Sequence, residues 1–262
     1  MKSYIRLYKT LLHLNAANLL AYRVNFTTNI VSSISWGLFS IFSIILVTSR
    51  ASSIFGWKRE EILLLTAIYS VLIGVFHMLF SKNFERFSNL VYYGQLDGLL
   101  VKPIDSQFLV SFWLVNYTSM FRILLGVGYT VYLLYAYHMA VSLGSVAWFI
   151  GFLVIGLMLL YSVWFLCVTL TIWFPRLTNI VFFMYSVSGL TRYPQEMYRQ
   201  LASYVFLFLM PITLIVTTPT KALVQRLSMA EAIMLIGFAF ALFYASRKFW
   251  KFALRYYTSA SS

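Results

Sequence analysis

Side chains able to move protons, hold metals or attack carbonyl carbons are few in this chain and widely scattered. Its 262 residues include three histidines, one cysteine and seven acidic residues. His13, His77 and His138 lack the i, i+4 spacing that sets two imidazoles on one helical face around a metal ion. Cys167 stands alone within an apolar run, so the sequence offers neither a disulfide framework nor a thiolate cluster. There is no Gly-x-Ser-x-Gly elbow for a nucleophile, and no Gly-x-x-x-x-Gly-Lys-Ser/Thr loop whose amides would cradle phosphates. No catalytic residue, metal or cofactor is therefore expected on the chain itself, and any transport it performs must draw energy from a gradient or from another subunit. One charged residue stands out: Arg122 lies about midway along an apolar run over residues 108–137. A guanidinium in hydrocarbon is costly, and such groups are functional or paired. Two readings follow. Arg122 meets an anionic group of a substrate in a polar path, or it is held by a buried partner such as the carbonyls of a broken helix.

The elements that would position Arg122 follow from composition. Hydrophobic residues make up 61% of the chain and charged residues 10%, whereas a soluble domain carries about 25% charged residues. Mean hydropathy is +0.81. The chain reads as an all-α integral membrane protein, one transmembrane domain over residues 1–262, lying in the lipid bilayer. The net charge of +13 would suggest nucleic acid on a soluble protein. Here the basic residues flank the apolar runs, where they orient helices against a membrane, so no nucleic-acid partner is expected. The first residues mix Lys2, Arg6 and Lys9 with leucines and do not read as a cleavable signal peptide.

A helix needs roughly 20 apolar residues to cross a bilayer. Apolar runs occupy residues 26–48, 62–80, 108–137, 146–174, 177–190, 201–218 and 232–246. The termini carry Lys2, Arg6, Lys9 and Arg23 at one end and Arg247, Lys248, Lys251 and Arg255 at the other, without acidic neighbours. The excess of cations places both ends in the cytoplasm, which demands an even number of crossings. Run 201–218 holds Pro211 and ends before Pro219, and proline removes a helical donor and crowds the preceding turn. It is therefore expected to dip in and return on the outer side within a re-entrant region over residues 193–228, leaving six spans. Residues 1–23, with Leu7, Leu11, Leu14 and Ala17 along one face, predict an amphipathic interfacial helix, or else an extension of the first span. Residues 81–107 are too long for a simple turn. Phe84, Phe87, Leu90 and Val91 recur at helical spacing beside Glu85 and Arg86. Such a helix would dock a partner or lie on lipid head groups.

The order of these features, with three short motifs, resembles the membrane (permease) subunit of a type-2 ABC exporter. The motifs are those of a bacterial branch: Gly94-Gln95-Leu96-Asp97-Gly98-Leu99-Leu100-Val101-Lys102-Pro103, Tyr193-Pro194-Gln195-Glu196-Met197-Tyr198, and the later pair Met210-Pro211 and Thr218-Pro219. The resemblance covers nearly the whole chain. It implies a multi-pass inner (cell) membrane protein with no enzymatic activity of its own, paired with a second permease subunit, identical or a sister. Separate ABC ATPase subunits would bind ATP and Mg. It implies that Phe84, Glu85, Arg86, Phe87, Gly94, Asp97, Lys102 and Pro103 couple to the ATPase, with residues 1–23 as a connecting helix. Arg122 would line the translocation path, and Tyr193, Pro194, Pro211 and Pro219 would form an outer gate. The substrate is not readable from the sequence. Two other readings stand beside this one: a gradient-driven carrier or channel, and a membrane-embedded lipid-modifying enzyme. The carrier would need carboxylates near the middle of its spans, and the enzyme a His/Asp/Glu cluster at one membrane face; the sequence offers neither.

Overall fold

The computed structural model describes residues 2–21, 23–49, 53–177, 179–199, 201 and 203–257. It opens with α1 (Lys2–Ala21) and α2 (Arg23–Thr48), followed by a short antiparallel hairpin of β1 (Ser53–Ile54) and β2 (Trp57–Lys58). Helix α3 (Arg59–Phe76) passes through a π-turn at His77–Ser81 into α4 (Lys82–Tyr92), and α5 (Asp97–Leu100), α6 (Ser106–Phe112) and α7 (Ser119–Ala136) follow. The second half comprises α8 (Leu143–Thr169), α9 (Ile180–Gly189), α10 (Gln195–Tyr198), α11 (Ser203–Leu223) and α12 (Met229–Ala253). Among the described residues, five stretches are long and apolar enough to cross a membrane: Val24–Thr48, Arg59–Tyr92, Ser119–Ala136, Leu143–Ile172 and Met229–Ala253. The protein is thus an all-α, multi-pass membrane protein.

Two layers form the bundle. In one, α3 packs along α7 with α2 against both; in the other, α8 packs between α11 and α12. Glycine sets the spacing at both seams. A methyl group at Gly126 of α7 would come within 2.9 Å of the Val71 amide and 3.0 Å of the Ala67 carbonyl of α3, so the two backbones meet almost directly. At Gly156 of α8 a Cβ would lie 2.6 Å from the carbonyl oxygen of Ile215 in α11. Pro219, four residues on, has no N–H to give that carbonyl, and the freed oxygen packs against the glycine.

Two expectations are corrected. Run 108–137 is not one span. The chain leaves α6 at Phe112 and re-enters helix at Ser119, because a residue far away in sequence holds the break. Asn83 donates from Nδ2 to the Leu114 carbonyl at 2.8 Å and accepts the Leu114 amide on Oδ1 at 2.7 Å, while Asn116 donates its amide to Met78 at 2.9 Å. Arg122 consequently lies one turn into α7, not midway along a span. Second, Pro211 and Pro219 do not break the helix: α11 runs through both, because packing against α8 outweighs the lost donors. On α1 the expected apolar residues divide between the protein and its surface. Leu11 is buried, whereas Leu14 is 53% exposed. Asn15 donates to the Trp113 carbonyl, the Tyr117 hydroxyl donates to Leu12, and Tyr8 meets Phe112 edge-on. Helix α1 thus rests on the α6–α7 break.

Polar contacts gather at the two ends of the bundle. At one, Lys221 at the end of α11 pairs with Glu196 of α10 and Glu231 of α12, Trp57 Nε1 donates to Glu196 at 2.8 Å, and Arg226 pairs with Glu61 of α3 at 2.6 Å. At the other, Asp105 caps α6 by accepting the Phe108 amide and pairs with Arg247 of α12, which also donates to Gln107 at 2.9 Å.

Candidate functional site

Helix α4 was expected to offer Phe84, Phe87 and Val91 to a partner. Instead these side chains are buried in the protein's own core. Phe84 lies against Tyr161, Trp164 and Phe165 of α8, and Phe87 against Trp250 of α12. The reason is continuity: α4 is the end of a 34-residue helix, about 50 Å at 1.5 Å per residue, whose apolar stripe stays in register with the bundle core. Glu85 and Arg86 are half-buried. Glu85 Oε1 accepts the Tyr185 hydroxyl at 2.6 Å, and Arg86 and Lys102 stand over the Trp113 ring at 4.8 and 4.2 Å.

The surface of this region lies one step further along. Gly94 ends α4: it takes φ +67°, Gln95 donates to Leu90 at 2.7 Å, and Gly94 itself donates to Val91 at 3.1 Å, the double bond of a glycine-terminated helix. Tyr92, Tyr93 and Val101 are exposed, Val101 at 81%, and Lys102 and Pro103 continue the patch, while Asp97 opens α5. These exposed residues lie at the end of the bundle that carries Asp105 and Arg247.

Above this end, a cavity of roughly 600 Å³ opens between α2, α3, α7 and α9. Its wall is polar for a membrane protein, with Asn29, Ser32 and Ser40 from α2, Tyr69 from α3, Arg122 from α7 and Tyr185 from α9. Arg122 is buried, stands 5.6 Å from the centre of the Tyr69 ring, and has an Nε without a hydrogen-bond partner. Arg192, at the end of the short turn that follows α9, lines the same cavity, and its Nε is also unpartnered. Tyr185 joins the cavity to the exposed end, because its hydroxyl is held by Glu85 of α4.

Sequence reading missed the polar face of α2, although its signal is present: Asn25, Asn29, Ser32, Trp36, Ser40 and Ser43 recur three or four residues apart, which places them on one helical stripe. The residues assigned to the outer gate are split. Tyr193 is half-buried, and Pro194 is buried at the start of α10, where Gln195 donates its amide to Thr217 at 3.2 Å. Pro211 and Pro219 lie within α11. Among the described residues no group of histidine, cysteine and carboxylate side chains is arranged to hold a metal ion.

Comparison with curated proteins and with solved structures finds no match. The family model described as ABC-2 family transporter protein matches residues 34–261, from α2 through α12, so the chain belongs to that family as the membrane permease component of an ABC transporter.

Proposed function

We propose that the chain is one half of an exporter's membrane core, driven by separate ATPase subunits that dock on Tyr92–Pro103 and pass their motion through α4 to the polar cavity. One observation carries this reading: Glu85, on the helix that ends in the exposed patch, holds Tyr185 in the cavity wall at 2.6 Å. A shift of α4 on ATP binding would therefore move a residue lining the path. The family match supports the ATPase partners, and the basic excess at this end, with Lys102, Arg247, Lys248 and Lys251, supports a cytoplasmic location by the positive-inside rule. Helix α9, only 10 residues long, supplies the sixth crossing in this reading together with the chain that leads into and out of it. Helices α10 and α11 form the re-entrant outer region, for which the Lys221–Glu196 pair between them at the hairpin end is the support.

The docking surface is tested by co-purification. A Tyr92→Asp/Tyr93→Asp double variant should lose the co-purifying ATPase while inserting and melting like the native chain, since both side chains are exposed. Retention of the ATPase and of transport would overturn the assignment of this surface. Charge reversal at Glu85 and Arg86 should instead destabilise the chain, because both make internal contacts.

A further inference from the structure

We infer that the cavity between α2, α3, α7 and α9 binds an oxyanion, a phosphate or carboxylate borne by the cargo, between Arg122 and Arg192. The inference deepens the reading of Arg122 as a path residue and rests on it for its consequence, but binding can be measured without transport. Arg122 is only 8% exposed, and none of the ion pairs among the described residues includes it or Arg192. Both guanidinium groups leave Nε without a partner, as does the hydroxyl of Ser40, which is 3% exposed. Among the described residues no carboxylate lines the cavity; Glu85 lies behind the wall, engaged by the Tyr185 hydroxyl.

Two cations sharing one pocket without a counter-charge lose hydration and repel each other. An oxyanion relieves both costs, since its lone pairs accept several charge-assisted hydrogen bonds and match the planar fork of arginine. Ser40 supplies a further donor. The same charge pattern repels a cationic cargo and leaves a neutral one facing two positive charges whose only neighbours of note are the Tyr69 and Tyr193 rings, so selection for an anion follows from the wall itself.

The test uses the full chain in nanodiscs of phosphatidylcholine, with thermal unfolding as the readout. Three probes are added: short-chain phosphatidic acid, short-chain phosphatidylcholine and inorganic phosphate. Phosphatidic acid should raise the melting temperature saturably, and phosphatidylcholine should not. A shift with phosphate as well identifies a site for soluble oxyanions, and a shift with phosphatidic acid alone identifies one for a headgroup on an acyl anchor. Arg122→Gln/Arg192→Gln should weaken the binding about tenfold or more, as loss of charge-assisted bonds requires. Because Arg122 is buried, Arg192→Gln and Ser40→Ala alone provide milder variants that should each weaken it measurably. The inference is overturned if no anion shifts the melting temperature, or if the shift is unchanged in these variants and therefore arises at surface lysines. Co-purification of the ATPase is scored on the same preparations. An ATPase-bound, transporting chain without an anion shift removes this inference alone, and an anion shift in a chain that never binds an ATPase removes the transporter reading alone.

Discussion

Lys221 holds two carboxylates at one end of the bundle, Glu196 and Glu231, and its side chain is only 12% exposed. Burial alone would raise the Glu196 carboxyl, but hydrogen bonds from Lys221 and Trp57 outweigh it and hold the group below the usual glutamate range. The sign of the linkage follows. A depressed carboxylate contributes stability that is present above its unfolded-state value and is lost as pH falls through its folded-state value. The melting temperature of the native chain should therefore drop as pH is lowered below the ordinary carboxylate range of about 4.5. Asp105 at the other end adds to this drop, since Arg247 and the Phe108 amide overcome its burial and depress it likewise. Replacing Lys221 by methionine leaves two carboxylates facing each other without a cation, at a cost of roughly 3–5 kcal/mol. The same substitution should blunt or reverse the acid dependence, because protonation now relieves repulsion. Thermal melts of both proteins between pH 3 and 7 (on the order of the titration range of carboxylates) decide this; a variant with the native pH profile would remove the cluster from the account.

The seam between α3 and α7 offers a paired test at the scale of the helix. Gly126 and Gly128 lie on the same helix, but only the first faces another backbone. A Cβ at Gly126 meets Val71 and Ala67 main-chain atoms at 2.9 and 3.0 Å, whereas nothing lies within 4 Å of one at Gly128. Gly126→Ala should cost about 1–3 kcal/mol by overpacking, and Gly128→Ala should be neutral or gain about 0.5–1 kcal/mol from reduced backbone entropy of the unfolded chain. Equal effects would show that α3 and α7 separate easily. Elements of this kind also mark the limit of what the sequence discloses. Helices α2, α3, α8 and α12 are legible because each is a long apolar run, which length and hydropathy identify without reference to neighbours. The interruption at Trp113–Thr118 is not, since the hydrogen bonds that replace helical ones come from Asn83, about thirty residues away. The aromatic spacing of Phe84, Phe87 and Val91 correctly announces a helix with one apolar face, but amphipathicity does not say whether that face meets a partner, lipid or the chain's own core. Prolines mislead in the opposite direction, because their penalty is local and the compensating packing of α11 on α8 is tertiary. Arg122 was legible as a charge among apolar residues; its companion Arg192 was hidden by its place in a polar connection.

At the scale of the whole molecule, α2 is the least buried of the five stretches long enough to cross a membrane. Only 22% of its most apolar window is buried, and its polar stripe runs alongside the open edge of the cavity. Asn29 answers part of its own need by donating to the carbonyl and the side-chain oxygen of Asn25 at 2.8 and 2.9 Å, but Ser32 and Trp36 remain exposed. In hydrocarbon every uncompensated polar group is expensive, so this stripe belongs against protein or water rather than acyl chains. A second permease subunit placed there, a copy of this chain or a sister, would cover the stripe and close the cavity from the side, so that Arg122 faces a passage between two subunits. Val31 and Phe42, also exposed at 63% and 59%, lie on a different face of the helix and suit contact with lipid. On a Cys167→Ala background, a cysteine replacing Ser32 should therefore form an oxidative cross-link to its own copy or to a co-expressed sister permease in intact membranes. A cysteine replacing Phe42 should not. Cross-linking from both positions would reflect chance collisions in the bilayer. Cross-linking from Phe42 alone would turn α2 around, exposing its polar stripe to lipid and leaving the cavity without its second wall.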